Sequence, residues 1–342
     1  MFLGGELLYV TGMNCYNLFV QTFERDNMNV DEMEKTVNVL AEEQVPIVRF
    51  SCIPFYASQM RYYTDNKDKY FANLKHLADL CDQKHILLIP SVFWNISSLP
   101  EYFGEELEAW GDTNSETYKF MRSYTAEVVN VLKGHKCVAA WELGNEFNLA
   151  ADIGSQGYPV ISASSIGVAA KGFAETVKSS DTEGRLVCSG HSVMRNAQWH
   201  LANKGNWETD SFTEYKEITQ RMTPDPMCGV SEHVYEERRT FSDLGELNLT
   251  YQLVRAKEMA ASLGKVYYIG EFTGPKTARG DSSMVKKHYA AQYAQKVQLS
   301  LLWNYALRGD IEWSFKADSD EGRMAFKFMR RYNDMFAKMK PE

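Results

Sequence analysis

Several features that mark common protein classes are missing from this chain. No apolar run approaches the ~18 residues of a membrane-spanning helix. No cluster of Lys and Arg marks a nucleic-acid surface, and the formal net charge of −8 with a pI near 5.5 weighs against that partner as well. There is no C-x-x-C pair among the six cysteines, Cys15, Cys52, Cys81, Cys137, Cys188 and Cys228, so zinc-ribbon and thioredoxin-like readings fall away. Most of them lie in or just after strand-like runs and read as small core residues, which leans towards a reducing compartment. No Pro/Ser/Gly-rich linker divides the sequence, so residues 1–342 are expected to form a single domain. The opening Met1-Phe2-Leu3-Gly4-Gly5-Glu6 has neither the basic start nor the long apolar stretch of a secretory leader, leaving room for a leader trimmed from a longer gene product. Cys188-Ser189-Gly190-His191-Ser192 is not a G-x-S-x-G elbow.

What is present is a large apolar and aromatic complement, 44% and 13% of residues, enough for a sizeable core with rings to spare. Eight short apolar runs recur at Leu8–Met13, Pro46–Phe50, Ile86–Val92, Cys137–Leu143, Leu186–Ser189, Gly229–Val234, Val266–Ile269 and Leu299–Trp303. Helical patterns separate them, over Asp31–Glu43, Lys69–Lys84, Glu116–Leu132, Ser164–Lys178, Leu247–Leu263, Met284–Val297 and Gly322–Lys338. Near-continuous apolar strands alternating with helices predict a parallel sheet covered on its outer side, and eight units predict a closed (β/α)8 TIM barrel with long βα loops. Asn203–Pro226 is expected to be a long irregular loop with a short helix.

Two of the runs end on glutamates. One is Val138-Ala139-Ala140-Trp141-Glu142-Leu143-Gly144-Asn145-Glu146, the other Val266-Tyr267-Tyr268-Ile269-Gly270-Glu271-Phe272. A carboxylate at the C-terminal end of a barrel strand stands at the mouth where such barrels place their active sites. The fourth and seventh strands can aim across that mouth. Two convergent carboxylates are what glycosidic cleavage needs: one protonates the leaving oxygen, and the other attacks the anomeric carbon or activates water. Asn145 and Glu146 are adjacent, so a strand-end bulge or turn must bring both to the mouth.

With these motifs the chain resembles the cellulase-type glycoside hydrolases of family 5, in the clan of (β/α)8 retaining glycosidases. The resemblance spans nearly the whole chain as a strand-by-strand pattern, and implies Glu146 as acid/base and Glu271 as nucleophile. It also implies supporting roles for Arg49 on the second run, for His233 beside the acid/base and Tyr235 on the nucleophile, and for Trp303 as the floor beneath the reacting sugar. The third run ends Phe93-Trp94-Asn95, where many cellulases of the family carry a histidine; Trp94 and Asn95 there are closer to the family's β-mannanases. Asn14, His191 and Trp207 are further candidates for the mouth. Trp94, Trp110, Trp199 and Trp207 fall in strand-end or loop positions suited to sugar faces, and Trp141 reads as core.

The expected activity is retaining hydrolysis of a β-1,4-linked polysaccharide or oligosaccharide, mannan ahead of glucan, with no metal and no cofactor. A depressed pKa is expected for Glu271, through Arg49 and Tyr235, and a raised one for Glu146. The resemblance favours a secreted or periplasmic setting and leaves the oligomeric state open. A carbohydrate-binding barrel without catalysis, and a clan member of other linkage, exo or transglycosylating, remain as alternatives. A metal-dependent hydrolase would need histidines at several strand ends, where only His233 and His191 qualify. Arg279-Gly280-Asp281 is a chance tripeptide, and Asp318-Ser319-Asp320-Glu321 reads as a solvated helix start.

Overall fold

The computed structural model describes residues 2–3, 6–23, 28–154, 160–235, 237–274, 282–306 and 314–339. Arg279-Gly280-Asp281 lies outside them. Eight parallel strands close into a barrel: β1 Val10–Asn14, β2 Ile47–Ser51, β3 Leu87–Phe93, β4 Ala140–Gly144, β5 Leu186–Cys188, β6 Gly229–Val234, β7 Val266–Phe272 and β8 Leu299–Leu302. Each pairs with its neighbours in sequence, and β8 closes on β1 through Leu299–Val10 to Leu302–Met13. All eight strands sit where the apolar runs predict them, with boundaries shifted by a few residues. The largest shifts, of three residues, are at the end of β7, which runs on to Phe272, and at the start of β4, where Val138 makes only an isolated bridge to Leu88 before regular pairing begins at Ala140.

One long helix follows each strand on the outside: α1 Asp31–Glu42, α2 Lys67–Lys84, α3 Glu116–Leu132, α4 Ala163–Ser180, α5 Phe212–Met222, α6 Leu249–Ser262, α7 Ser283–Ala294 and α8 Asp320–Phe336. Their starts are written locally. Ser115, Ser162, Ser211, Asn248 and Ser319 each cap the first turn with a side-chain oxygen. Asn203–Pro226, expected to be a long irregular loop with a short helix, holds the end of helix Gln198–Lys204, a short loop and then the regular 11-residue barrel helix α5. The overlooked signal was Ser211-Phe212-Thr213-Glu214, a reciprocal capping box. Ser319 caps α8, as its acidic start predicts.

The core has two shells. Helices pack on the outer barrel face, while Val10, Ile47, Ile89, Ala140, Leu186, Cys188, Tyr268, Leu299 and Leu301 fill the barrel's interior. Strand alternation then dictates what lies above that plug, because residues two apart share a face. Ile47 points inward, so Arg49 does; Ala140 points inward, so Glu142 does; Leu301 points inward, so Trp303 does. Five cysteines are buried and Cys228 is half-buried, and all six are free.

Candidate active site

Glu271 reaches the interior only because β7 breaks its alternation. Tyr268 faces inward and Ile269 outward, so regular pleating would send Glu271 outward too. The register against β6 shifts between Ile269 and Glu271: Ile269 pairs with Glu232, and Glu271 with His233. Gly270 is the extra residue of this bulge, which turns the Glu271 carboxylate into the mouth and leaves Phe272 packed outward on Tyr289. Across the mouth, Glu146 adopts a left-handed backbone at φ 56 immediately after β4, the turn that the Asn145–Glu146 adjacency requires. Its N–H donates to the Gly190 carbonyl at 2.9 Å, while Asn145 N–H donates to Trp94 O at 3.2 Å. Gly190 has φ +73, and a side chain there would collide with the Gly144 carbonyl and the Glu142 carboxylate.

Arg49, wholly buried, organises the floor. Its Nε donates to Glu142 at 2.7 Å, one Nη to both Asn14 Oδ1 at 3.0 Å and Glu271 at 2.8 Å, and the other Nη to Asn145 Oδ1 at 2.9 Å. Its guanidinium also lies over the Trp94 ring, 4.5 Å from the centroid. Asn14 is fixed in turn by donating to Gly270 O at 2.9 Å. Burial disfavours the Arg49 charge, but Glu142 and Glu271 more than compensate and hold its pKa above the ordinary arginine value. Glu142 carries no role in the sequence reading. It is an inward carboxylate, wholly buried, that also accepts from the Tyr268 hydroxyl. A charged residue inside an apolar strand, two positions after an inward alanine, was the signal for it.

Tyr235 donates its hydroxyl to Glu271 at 2.6 Å. His233 Nδ1 lies 2.9 Å from Glu146 and 3.4 Å from Glu271, so it bridges the two carboxylates. One oxygen from each carboxylate and a nitrogen of His233 lie within 4.8 Å of one another. Three such groups could in principle grip a metal ion. Here, however, a fixed guanidinium already contacts Glu271 at 2.8 Å and would repel a second cation.

The ionisation order departs from expectation. Burial drives the Glu271 pKa upward, and the opposing His233, Arg49 and Tyr235 do not bring it back to the ordinary carboxylate value. Burial also raises Glu146, but the His233 hydrogen bond and charge, with Arg49, outweigh it and leave that pKa lowered. The cause is position. The Glu146 side chain is 26% exposed and sits directly on His233, whereas that of Glu271 is 5% exposed.

Rings line one side of the mouth. Trp303 is half-buried and stacks on Tyr16 at 5.5 Å and on Trp94 at 6.3 Å, and Phe55 lies 6.2 Å from Trp94. Tyr16 and Phe55 were not anticipated, although both stand a few residues beyond the ends of β1 and β2. Tyr16, Phe55, Trp94 and Glu146 border a cavity of about 630 Å³ over the ends of β1 to β4. A second cavity of about 610 Å³ opens on the other side of Glu146, over β4 to β6, with Trp207 on its rim at 64% exposure.

Other candidates fall elsewhere. His191 does not reach the mouth: it is wholly buried, with Nε2 3.2 Å from the Met222 carbonyl, which pulls it towards α5. Trp110 is buried, donating to Ile96 O at 2.8 Å. Trp141 is core, as expected, and donates to Asp181 at 2.7 Å. Trp199 is half-buried on helix Gln198–Lys204.

No protein-family model matches the chain, and no curated protein matches it in sequence. Solved structures do match in shape. The endo-1,4-β-mannanase of Rhizomucor miehei superposes with a TM-score of 0.71 at 18% identity, over 99% of this chain and 97% of that one. A Pseudomonas stutzeri endoglucanase gives 0.59 at 17% identity, over 95% of both chains. A glycoside hydrolase family 5 mannosidase of R. miehei gives 0.58 at 11% identity, over 97% of this chain and 95% of that one. This chain has their fold. All three superpose over nearly full length, and the low identity leaves the chemistry to be argued from the residues themselves.

Proposed function

We propose that the protein is a retaining β-glycoside hydrolase acting on a β-1,4-linked polysaccharide or oligosaccharide. The observation that carries this reading is the Glu146–Glu271 pair, with carboxylate oxygens within 4.8 Å across an open cleft. An oxygen of one carboxylate so close to an oxygen of the other favours direct attack, for which carboxyls lie ~5–5.5 Å apart, over the ~6.5–9.5 Å separation of inverting enzymes.

The roles follow from the surroundings. Glu271 is held rigidly from both sides by Arg49 and Tyr235, as a nucleophile must be to meet an anomeric carbon in one geometry. Glu146 is the more exposed, faces both cavities and contacts the His233 imidazole, which suits a group that gives and later takes a proton. Glu271 attacks the anomeric carbon while Glu146 protonates the departing oxygen. Glu146 then takes a proton from water, which hydrolyses the glycosyl-enzyme. Trp303, Trp94 and Tyr16 offer ring faces to the apolar C–H face of a sugar. Mannan is placed ahead of glucan on Phe93-Trp94-Asn95 and on the mannanases among the structural neighbours.

Separating the two glutamates by leaving group tests the reading. Glu271→Ala should abolish turnover of every substrate, with azide giving an α-glycosyl azide. Glu146→Ala should still react with dinitrophenyl glycosides, stall for want of a base, and yield a β-glycosyl azide on rescue. General acid catalysis contributes ~10²–10⁴-fold, mostly for poor leaving groups. Identical behaviour of the two variants would defeat the assignment, and inverted product anomers by NMR would defeat the mechanism.

A further inference from the structure

The two cavities beside Glu146 differ in charge. Among the described residues, the one bordered by Tyr16, Phe55 and Trp94 has no Lys or Arg in its lining. The other is lined by Arg195, Arg238 and Arg239, with Glu146 the single carboxylate of its lining among the described residues. Such a concentration runs against the composition of the chain, which carries 45 acidic residues to 37 basic ones.

The three arginines are not equivalent. Arg239 is turned into the wall, its guanidinium 4.3 Å and 5.0 Å from the centroids of the Tyr215 and Phe241 rings. Arg238 lies on the hairpin Arg238–Phe241/Gly245–Asn248, and its ion pair with Glu246 at 2.7 Å is exposed to water and therefore weak. Arg195 is the distinctive one. Its guanidinium donates to the carbonyls of Asn148 and Leu149, in the turn directly after Glu146, and to the amide oxygen of Gln198. All these acceptors are neutral. Among the described residues no carboxylate lies within ion-pair distance of Arg195. Asp152 acts on it only from farther away, with its own oxygens turned to the Ala163 N–H at 3.2 and 3.3 Å. Arg195 therefore presents a fixed, partly desolvated positive charge beside the proposed acid/base.

We propose that this cavity binds a sugar unit bearing a carboxylate, a uronate, next to the scissile bond. Arg195 is the preorganised partner and Arg238 the adaptable one, with Trp207 at the rim for the sugar face. A planar carboxylate matches the fork of a guanidinium, and the cavity is continuous with Glu146, so the acidic unit would lie within the substrate rather than at a remote site. The inference rests on the glycosidase reading.

The test compares kcat/KM for neutral manno- and cello-oligosaccharides with two acidic series: their C6-oxidised counterparts, which carry the uronate in the main chain, and β-1,4-linked oligosaccharides with a glucuronic acid side group. At low salt, at least one acidic series should be cleaved about tenfold better than the neutral series, and ~0.5 M salt should erase the difference. Arg195→Gln and Arg238→Gln should each lower the acidic-to-neutral ratio about tenfold, with Arg238→Lys restoring part of it. Arg238 lies on a surface hairpin, so its variants retain the fold even if Arg195→Gln does not. Equal or better cleavage of the neutral series by the wild type, or a ratio that neither glutamine variant moves, would overturn the inference and leave the glycosidase reading intact. Cleavage of neither class would overturn the glycosidase reading, and the inference with it.

Discussion

At the scale of single residues, the substrate-free site holds its protons in an order opposite to the one the chemistry uses. Glu271 is the harder of the two to ionise and Glu146 the easier, while the reaction needs the proton on Glu146. The two are coupled through His233, so their titration belongs to the pair, and the productive form is a singly protonated pair with the less favoured distribution. The pH profile of kcat/KM is therefore expected to be a bell whose two limbs are the apparent constants of the pair. Tyr235→Phe removes a donor to ionised Glu271, which raises that pKa further. The acid limb should move to higher pH, and kcat/KM should fall ~10–100-fold, since hydrogen bonds to charged groups contribute roughly 1.5–3 kcal/mol. An unmoved acid limb would show that the Tyr235 hydroxyl does not bear on the ionisation of the nucleophile.

At the scale of elements, the mouth is built where strands depart from regularity. The β7 bulge at Gly270 turns Glu271 inward, and the left-handed turn after β4 turns Glu146 inward. A Cβ on Gly270 would lie 2.7 Å from His233 Nε2 and 2.9 Å from Ser231 Oγ. Both obstacles are side-chain atoms, so the barrel can survive the change, but His233 must move away from Glu146. Gly270→Ala is expected to lower kcat/KM ~100-fold, the order of cost of a 1 Å misplacement, while the far-UV spectrum stays that of the wild type. Wild-type kinetics would mean that the bulge relaxes without disturbing the imidazole.

At the scale of the whole molecule, a buried acid outside the cleft couples stability to pH. Glu232 points outward from β6, between barrel and α5, where it accepts from the Tyr215 hydroxyl and from that of Tyr267 at 3.0 Å. Burial raises its pKa to about 7, with Arg239 and Tyr267 opposing. Below the ordinary glutamate pKa both folded and unfolded chains hold this proton. Above it the unfolded chain releases the proton first, so the contribution of Glu232 to stability falls as pH rises from about 4.5 to about 7, by roughly 3 kcal/mol at most. His191 and His288, pushed by burial to about 4, act in the other direction: the unfolded chain takes up their protons below about 6.5, so stability falls as pH drops through that range. Glu232→Gln should remove the Glu232 loss between about pH 4.5 and 7, so that Tm climbs more steeply with pH up to about 6.5 under the two histidines and no longer falls between there and about 7. Parallel plots for variant and wild type would remove Glu232 as the cause.

Local periodicity alone determined the eight barrel strands and seven of the eight long barrel helices, while Arg49, His233, Tyr235 and Trp303 were named only through the resemblance to a family. An apolar run fixes a strand, and one inward residue fixes the next at i+2. The remaining long helix, α5, was expected only as a short helix within an irregular stretch, although its capping box marks its start. Other matters were decided only in three dimensions. The rotation of Glu271 into the mouth depends on a register shift against β6, and register is a property of two strands. Whether Asn14 supports Arg49, or His191 turns to α5 instead of the cleft, depends on partners hundreds or tens of residues away. The ionisation order went against the local reading for the same reason. A pKa sums burial and every nearby charge, and no neighbourhood in sequence contains those groups; only the closed barrel brings Arg49, His233 and both glutamates together.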